Sequence, residues 1–478
     1  MTISFGTDGW RAVISETFTF NNLRILSQAI ADFIRAENEN GEGRPTAVVG
    51  FDTRFLSDRY AIEVARVLAA NGIKTYLSHK DCPTPALSYA VLDKTAAAGV
   101  MITASHNAPR YNGVKLKAHF GGAINKADGK RVEAYLRDNE RRARGPNLID
   151  LEFAIEEGLI ERFNPAPSYY DHIRTLVELD ASTDADLAVI HDAMYGSGRH
   201  YIKNLLGGAG LTIHEIRSEM NPGFGGIHPE PMGKYLGALA AAIQSGQGQI
   251  GLATDGDGDR IGAMDGRGRF VDPHRIYALI LKYLVEQRSQ SGLVVRTVST
   301  TRMIDRLSAR YGLEVRETPV GFNYIADLML AEDVLIGGEE SGGISVKGHI
   351  PEGDGVLMGL LLLEVIAKAG MPLEALVDEL EADVGPAIYA RTDLRLRRPV
   401  EKSVMVKRLS DSAPGDIDGL RVAELSTIDG VKYIMEDESW LLIRPSGTEP
   451  VLRVYAEGRS PDVNRSLLGF GERIASEV

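Results

Sequence analysis

Short apolar runs alternate with amphipathic segments along the first two thirds of this chain. Residues 23–34 carry apolar side chains at helical spacing, and Asn21 and Asn22 just before them are candidate N-caps. An apolar run at 47–51 predicts a short buried strand, and 61–70 predicts a second helix. The chain therefore opens with a strand–helix alternation.

The same alternation returns twice further along. A strand-like run at 187–191 precedes a helical segment at 199–206, and a run at 293–298 precedes one at 303–311. We predict three similar α/β units with right-handed crossovers and with functional sites at the C-terminal ends of strands.

The C-terminal part has a different pattern. Short strands surround a helix near 401–409, further strands are expected at 440–443 and 451–455, and a last helix follows Pro461. This predicts a fourth, mixed α/β domain. Gly145-Pro146 after a charged run, Pro273 at a helix start and Gly385-Pro386 mark the boundaries. The predicted domains are 1–150, 163–270, 271–385 and 386–478.

Composition narrows the class of protein. Of the 478 residues, 44% are hydrophobic, which is enough to build ordinary cores. The net charge of −13 argues against nucleic-acid binding. Cys82 is the only cysteine, so no intrachain disulfide is expected and a reducing cytoplasm fits. We find no apolar run of membrane-spanning length and no signal-peptide core, and we interpret 357–367 as a buried helix. A cytoplasmic protein without a membrane partner is the expectation.

Ser105 stands at the end of a predicted strand, 99–103, before a second strand that carries Lys115 and Lys117. Such a serine is a candidate nucleophile, although its alcohol needs activation or prior modification. The G-x-S-x-G turn of serine hydrolases is absent, which argues against acyl transfer. A polar turn between two strands is the alternative, since turns collect Ser, His, Asn and Gly.

Asp255, Asp257 and Asp259 alternate with glycines directly after a strand-like run. Carboxylates at this spacing can turn their oxygens toward one centre, which suits Mg²⁺ or Ca²⁺. An EF-hand calcium loop beginning at Asp255 would need a glycine where Arg260 stands and a glutamate where Gly266 stands. The segment predicts a divalent-cation loop, with a solvated acidic turn as the alternative.

A third polar segment begins at Arg444, between two strand-like runs. Arg444 offers a bidentate fork, and Gly447 can expose backbone N–H groups. The hydroxyls of Ser446 and Thr448 complete a set that suits a phosphate dianion. An ordinary hairpin loop is the alternative.

A glycine-rich segment, 337–343, contains Glu339, Glu340 and Ser341 after a strand-like run. Two acids and a serine can hydrogen-bond the vicinal hydroxyls of a sugar. A flexible glycine linker is the alternative, and the strand before the segment argues against it.

Together these segments resemble the α-D-phosphohexomutase family, which includes phosphoglucomutase and phosphomannomutase. Residues 103–115 resemble its phosphoserine signature, 255–260 its metal loop, 338–342 its sugar-recognition loop and 444–448 its phosphate-binding loop. They occur in the family's order across nearly the whole chain. Further matching segments are 5–9 with Arg11, 192–196, 221–226, 229–231 and 318–321.

The resemblance implies four domains around one central cleft, three of them similar α/β domains and the fourth mixed. It also implies an isomerase that moves a phosphoryl group between the 1- and 6-positions of a hexose phosphate. Ser105 would carry the phosphoryl group, with a hexose 1,6-bisphosphate as intermediate and activator. Mg²⁺ would be held by the phosphorylated Ser105 together with Asp255, Asp257 and Asp259.

The remaining roles implied by the resemblance concern the substrate. Glu339 and Ser341 would hold sugar hydroxyls, and the non-reacting phosphate would be held by Arg444, Ser446, Gly447 and Thr448. Arg11 and Arg260 would lie near the phosphoserine, with Lys115 as the candidate general acid/base. From the residues alone, a solvated lysine and structural ion pairs are the alternatives for these three cations.

Departures from the family pattern bear on the substrate. Gly343 stands where phosphomannomutases and phosphoglucosamine mutases resemble one another in having histidine, so Lys115, Lys347 or His349 would have to serve as acid/base. Phe322 and the Glu339 loop look more like phosphoglucomutases. We expect glucose 1-phosphate and glucose 6-phosphate as favoured substrates. A phosphomannomutase or a dual-specificity mutase is the alternative, and a non-catalytic sugar-phosphate sensor is a remote one.

The expected assembly is a monomer or homodimer.

Overall fold

The computed structural model describes residues 3–4, 9–39, 43–178, 187–207, 211–396, 401–445 and 451–476. The strands of its first sheet are β1 (Trp10–Val13), β2 (Thr46–Phe51), β3 (Lys74–Ser78), β4 (Ala98–Ile102), β5 (Tyr111–Ala118) and β6 (Ile160–Phe163). The helices that go with them are α1 (Phe20–Glu37), α2 (Ser57–Ala70), α3 (Thr84–Asp93), α4 (Lys126–Arg141) and α5 (Leu151–Glu156). Strand β6 pairs with β3, so this sheet extends past residue 150.

The second sheet follows after α6 (Ala166–Leu176). Its strands are β7 (Ala188–Asp192), β8 (Thr212–Ile216), β9 (Ile250–Thr254), β10 (Ile261–Met264) and β11 (Phe270–Val271). The helices within this part are α7 (Tyr201–Leu205) and α8 (Gly237–Gln244).

The third sheet lies against α9 (Pro273–Glu286), which begins at its proline as predicted, with Asp272 as N-cap. Its strands are β12 (Leu293–Thr297), β13 (Val315–Thr318), β14 (Val334–Gly338) and β15 (Ile344–Val346). The other helices are α10 (Met303–Tyr311), α11 (Phe322–Ala331), α12 (Gly355–Ala369) and α13 (Leu373–Val384).

The fourth sheet is antiparallel wherever its strands pair. Its strands are β16 (Ile388–Arg395), β17 (Asp416–Ile417), β18 (Leu420–Ser426), β19 (Val431–Met435), β20 (Trp440–Pro445) and β21 (Val451–Gly458). Its helices are α14 (Lys402–Asp411) and α15 (Pro461–Ser476). A separate apolar cluster fills this domain, which agrees with the predicted mixed α/β unit.

One four-strand arrangement is repeated in the first three sheets. The orders β5-β4-β2-β3, β10-β9-β7-β8 and β15-β14-β12-β13 are equivalent, and each ends in an antiparallel hairpin beside a parallel centre. The parallel strands are joined by helices, as expected for α/β units. The turn of each hairpin therefore emerges at the same end of its sheet.

Helices α9 and α12 are largely buried and share an apolar cluster with the second and third sheets. Burial on most sides explains why α12 is apolar nearly all round. Within the described residues, no single helix has both the length and the composition to cross a membrane; α12 and α13 meet that test only as a pair bent by 86°.

Three local predictions need correction. Helix α1 begins at Phe20 with Thr19 as its N-cap, so the prediction of Asn21 and Asn22 as caps is wrong. Thr19 has extended backbone angles, and its side chain accepts a hydrogen bond from Asn22 N at 3.2 Å. Strand β14 continues through Gly338, and β20 continues through Pro445, so Arg444 lies at a strand end rather than in a loop.

Candidate active site

Ser105 lies in the turn of the first hairpin, between β4 and β5. The residue is fully buried and has a φ of +49°, a backbone conformation that is uncommon for a residue with a side chain. Its Oγ donates a hydrogen bond to Asp255 Oδ2 at 2.8 Å, and its N–H donates to Thr103 Oγ1 at 2.8 Å. The hydroxyl is thus aimed at a carboxylate of the second sheet, 150 residues further along the chain.

Asp255, Asp257 and Asp259 occupy the equivalent turn of the second hairpin, between β9 and β10. Each offers a carboxylate oxygen within 4.8 Å of the others, and all three are buried. Thr84 Oγ1 donates to Asp257 Oδ2 at 2.6 Å. The second oxygen of Asp257, Oδ1, is buried without a hydrogen-bond partner in the described part of the chain. Three converging carboxylates with an unsatisfied oxygen fit a hard divalent cation.

Two cations of the described chain contact the acidic triad. Lys115 Nζ lies 2.9 Å from Asp257 Oδ2 and 2.6 Å from Asp259 Oδ2. Burial raises the pKa of Asp257. The charge of Lys115 and the hydrogen bonds of the Asp257 carboxyl group outweigh burial and bring this pKa below its usual value. Burial and the other two carboxylates raise the pKa of Asp255 well above its usual value. Arg260 Nε also lies 3.8 Å from Asp259 Oδ1. Lys115 and Arg260 thus share the charge of the triad in the part of the chain that the structure describes.

Two further predicted cations lie beside the Ser105 loop. Arg11, on β1, donates to Asn107 Oδ1 at 2.7 Å. The backbone N–H of Arg260 donates to Asp255 Oδ1 at 3.2 Å. Burial, followed by the charges of Arg260 and Arg11, holds the pKa of His106 well below its usual value, so this imidazole is neutral. Two arginines, one from β1 and one from the acidic loop itself, thus lie near the serine.

Glu339 and Ser341 follow β14 in the equivalent turn of the third hairpin. Glu339 Oε1 accepts a hydrogen bond from Gly321 N at 2.8 Å. Burial and repulsion by Glu340 raise the pKa of Glu339 to about 7. The loop touches the second hairpin: Ile261 N donates to the carbonyl of Gly342 at 3.2 Å. The turns of the three repeated hairpins therefore meet in one place.

Arg444 is the last residue but one of β20, in the fourth domain. Its side chain is largely buried, and its Nε donates to Asp429 Oδ2 at 2.6 Å. Ser446, Gly447 and Thr448, predicted to hold phosphate with it, lie outside the described residues, as does segment 5–8 of the N-terminal motif. Asp429 thus orients the guanidinium of Arg444 from one side.

Sequence patterns did not single out two further arginines near Arg444. Arg453 on β21 lies opposite Arg444, and Arg391 on β16 lies opposite Tyr455, so all three arginines project from one face of the fourth sheet. Arg391 Nη2 comes within 4.0 Å of Glu230 Oε1, a residue of the second domain that also lies 3.7 Å from Arg260 Nη1. Arg453 and Tyr455 stand two positions apart in a strand-like run, and this period-two pattern could have pointed to Arg453, whereas Arg391 has no comparable signal.

Sequence profiles of four phosphoglucomutase/phosphomannomutase domains match the chain in order. Alpha/beta/alpha domains I, II and III and the C-terminal domain match residues 2–143, 167–268, 272–384 and 400–468. The chain therefore belongs to the phosphoglucomutase/phosphomannomutase family. It is a phosphohexomutase with the family's four-domain architecture. The predicted family and the predicted architecture are both confirmed.

Individual relatives match this chain along nearly their whole length. A phosphoglucomutase/phosphomannomutase of Thermococcus kodakarensis is 29% identical, over 99% of this chain and 98% of the relative. A probable phosphoglucosamine mutase of Methanosphaera stadtmanae is 30% identical, over 99% and 97%. A crystal structure from Thermus thermophilus, provisionally named a phosphomannomutase, superposes with a TM-score of 0.86 at 34% identity, over 100% and 99%.

Proposed function

We propose that this protein is a phosphoglucomutase that works through a phosphorylated serine. It would interconvert glucose 1-phosphate and glucose 6-phosphate by way of glucose 1,6-bisphosphate, which also serves as activator. The observation that carries the proposal is the position of Ser105 Oγ, 2.8 Å from Asp255 Oδ2 at the edge of the acidic triad. A serine in this position can carry a phosphoryl group whose charge a bound cation would balance.

We infer that the cation is Mg²⁺, held by Asp255, Asp257, Asp259 and a phosphate oxygen on Ser105. The convergence of the three carboxylates supports this inference, as does the buried Oδ1 of Asp257, which has no hydrogen-bond partner among the described residues. When bound, Mg²⁺ would offset the charge of the phosphoryl group and help to align it.

The chain's own residues would bind and orient the reacting groups. Phosphoryl transfer breaks the bond between Ser105 Oγ and phosphorus and forms one to a sugar hydroxyl. Lys115 would exchange a proton with the reacting oxygens. Its contacts with Asp257 and Asp259, in the loop that Ser105 also contacts, support this role. Arg11 and Arg260 would also offset the charge of the phosphoryl group.

A mutase must accept its substrate in two orientations. Arg444, with Ser446, Gly447 and Thr448, would hold whichever phosphate is not reacting, while Glu339 and Ser341 would hold sugar hydroxyls common to both poses. We add Arg453 as a further candidate for the phosphate, because it lies across from Arg444 on the same sheet face. The four predicted domains, with the first extended through β6, would thus supply phosphoserine, metal, sugar and phosphate recognition in that order.

Glucose preference is the finer part of the proposal. The relatives' names divide among glucose, mannose and glucosamine phosphates, so the choice depends on this chain's own residues. Gly343 replaces the histidine expected of the other two classes. A Cβ at Gly343 would meet nothing closer than 3.6 Å, so the glycine is not required for packing. A phosphomannomutase or dual-specificity enzyme is the alternative.

A coupled assay with three substrates tests the proposal. We expect kcat/KM for glucose 1-phosphate to exceed the values for mannose 1-phosphate and glucosamine 1-phosphate, and Gly343→His to narrow the difference. A higher kcat/KM for mannose or glucosamine phosphate would overturn the glucose assignment. Release of inorganic phosphate without isomerisation would instead indicate a phosphatase, and binding without turnover would indicate a sensor.

A further inference from the structure

Arg54 lies directly behind the Ser105 loop, two residues after Asp52 at the end of β2. Its side chain is completely buried, and its guanidinium carbon lies 4.9 Å from the ring centre of Phe224 in the second domain. Strand β2 is the parallel neighbour of β4, the strand that leads into Ser105. Residues beyond the ends of these two strands therefore meet at one edge of the sheet.

The guanidinium directs all five of its N–H donors into the protein. Nε donates to Asp52 Oδ2 at 3.1 Å, and the two terminal nitrogens donate to four backbone carbonyls. These acceptors are the carbonyl oxygens of Ser105 (2.5 Å), Asn107 (2.7 Å), Ala108 (3.0 Å) and Tyr111 (2.9 Å). Because a guanidinium has five N–H groups, none of them remains to bind a phosphate.

Asp52 extends this network to the amide of the reactive residue. Its Oδ2 accepts from Thr103 Oγ1 at 2.7 Å, and the same Thr103 oxygen accepts from Ser105 N at 2.8 Å. Its Oδ1 accepts from the backbone N–H of Arg54 at 2.9 Å. The peptide units on both sides of Ser105 are thus held by Asp52 and Arg54, while the side chain points away toward Asp255.

We propose that Arg54 is a positioning residue, which fixes the Ser105 loop in the conformation needed for phosphoryl transfer without touching the phosphoryl group. The inference rests on the proposed phosphoserine function. A left-handed backbone at a residue with a side chain costs free energy and persists only where its surroundings impose it. The planar fork of arginine can hold four carbonyls in fixed directions, whereas lysine has three donors and no plane.

The experiment compares Arg54→Lys and Arg54→Ala with Arg296→Lys in the full-length protein. Arg296 is a matched control, because it is also buried and ion-paired, with Asp305 and Glu317 of the third domain. We would measure kcat, KM for glucose 1-phosphate, and the rate at which glucose 1,6-bisphosphate phosphorylates Ser105, followed by intact mass.

In Arg54→Lys we expect kcat and the rate of Ser105 phosphorylation to fall together by about 100-fold, because small displacements of reacting groups have effects of this size. KM should change less than about twofold. Guanidinium ion should restore part of the rate in Arg54→Ala. Arg296→Lys should keep both rates. If Arg54→Ala does not fold, Asp52→Asn should reproduce the loss of rate more weakly.

Three outcomes would overturn the inference: equal phosphorylation rates in Arg54→Lys and the unsubstituted protein, a loss that only follows the folded fraction measured by circular dichroism, or a rise in KM with kcat unchanged. Failure of the proposed function looks different, because the unsubstituted protein itself would then remain unphosphorylated by the bisphosphate.

Discussion

Two aspartates of the acidic loop have pKa values that are shifted in opposite directions, although their side chains are identical. Asp255 and Asp257 are both fully buried, yet the pKa of Asp255 is raised and that of Asp257 is lowered. Burial raises both, but only Asp257 is also contacted by Lys115 and Thr84. Burial and the neighbouring carboxylates therefore disfavour the ionised form of Asp255, and a cation bound at the loop would favour it.

Replacement of Asp257 tests the cation site. Asp257→Asn keeps the shape of the side chain but removes a charge and a ligand oxygen, so we expect Mg²⁺ affinity and kcat each to fall by roughly 100-fold or more. Excess EDTA should abolish turnover of the unsubstituted protein. Metal titration calorimetry and the mutase assay measure these effects.

Asp265→Asn is the matched control for this variant. Asp265 is equally buried and hydrogen-bonded to the backbone of its own turn, but it lies outside the triad. Its replacement should leave Mg²⁺ affinity unchanged. Turnover that persists in EDTA would show that the triad is not a functional metal site.

Replacement of Arg444 tests the phosphate site. Loss of a bidentate contact between arginine and phosphate costs about 1.5–3 kcal/mol, so Arg444→Ala should weaken binding of mono- and bisphosphates by roughly 10- to 100-fold. The mutant should still accept a phosphoryl group on Ser105. Arg421→Ala, an exposed arginine of the same domain, is the control. An unchanged KM in Arg444→Ala would mean that this arginine serves only its ion pair with Asp429.

Single residues were predictable where their partners are close in sequence. The acidic triad and Ser105 stand in short contiguous motifs, so residue type and spacing suggested their chemistry. Arg54 and Arg391 have no such signal: Arg54 contacts carbonyls 51 to 57 residues away, and Arg391 approaches Glu230 of another domain. Only the folded chain identifies them.

At the scale of elements, the fold uses one hairpin three times. Its turn carries the candidate nucleophile in the first domain, the acidic loop in the second and the sugar loop in the third. Close approach of the first two turns depends on Gly256, where a Cβ would lie 2.5 Å from the carbonyl oxygen of Ser105. A side chain at this position must push the two loops apart.

Gly256→Ala should therefore reduce kcat strongly while the protein still folds, because the clash is confined to two loops at the domain boundary. We expect a fall of about 100-fold, as for other small displacements of reacting groups. Gly237→Ala, at a helix position where an added Cβ would have open space around it, should behave like the unsubstituted protein. Near-normal activity of Gly256→Ala would argue that the two turns need not touch.

The elements themselves were largely predictable, because apolar periodicity follows burial. Helix α10 has the predicted bounds, and β2, β7 and β12 differ from the predicted strands by one residue at one or both ends. The ends were less predictable. Thr19 rather than Asn21 caps α1, since the cap depends on which residue adopts extended backbone angles, and both types are good caps.

At the scale of the whole molecule, stacked rings and hydrogen-bonded side chains connect the first three domains. His172 Nε2 lies 3.0 Å from His349 Nδ1, and His349 Nε2 lies 3.0 Å from Asp354 Oδ2. Tyr89 stacks on His172, and Tyr169 donates to Asp354 at 2.8 Å. Burial and the neighbouring His349 lower the pKa of His172 to about 4, although Asp354 opposes them.

This interface predicts loss of stability in acid. With a folded-state pKa of about 4 and an ordinary value of 6.5, His172 takes up a proton in the unfolded chain at a higher pH than in the folded one. The free energy of unfolding should therefore fall as pH drops from 6.5 toward 4. His172→Gln should flatten the pH dependence of Tm in this window. His214→Gln, at an exposed position, should not. An identical slope in His172→Gln would exclude this histidine as a cause.

The arrangement of domains was the least accessible to sequence patterns. Repeated strand–helix alternation predicted three α/β units, but nothing local specifies that Ser105 contacts a residue 150 positions later. That expectation came from the resemblance to phosphohexomutases. Contacts between separate domains depend on surfaces formed only after each has folded, and short-range periodicity carries no information about them.

The central claim is that Ser105 carries the phosphoryl group, and intact-mass measurement of the protein tests it most directly. Treatment with glucose 1,6-bisphosphate should add one phosphoryl group that maps to Ser105, and excess glucose monophosphate should remove it. Ser105→Ala should remain unmodified, stay folded and lose several orders of magnitude in mutase rate. Turnover near the normal rate in Ser105→Ala, with no phosphoprotein at any stage, would contradict the account.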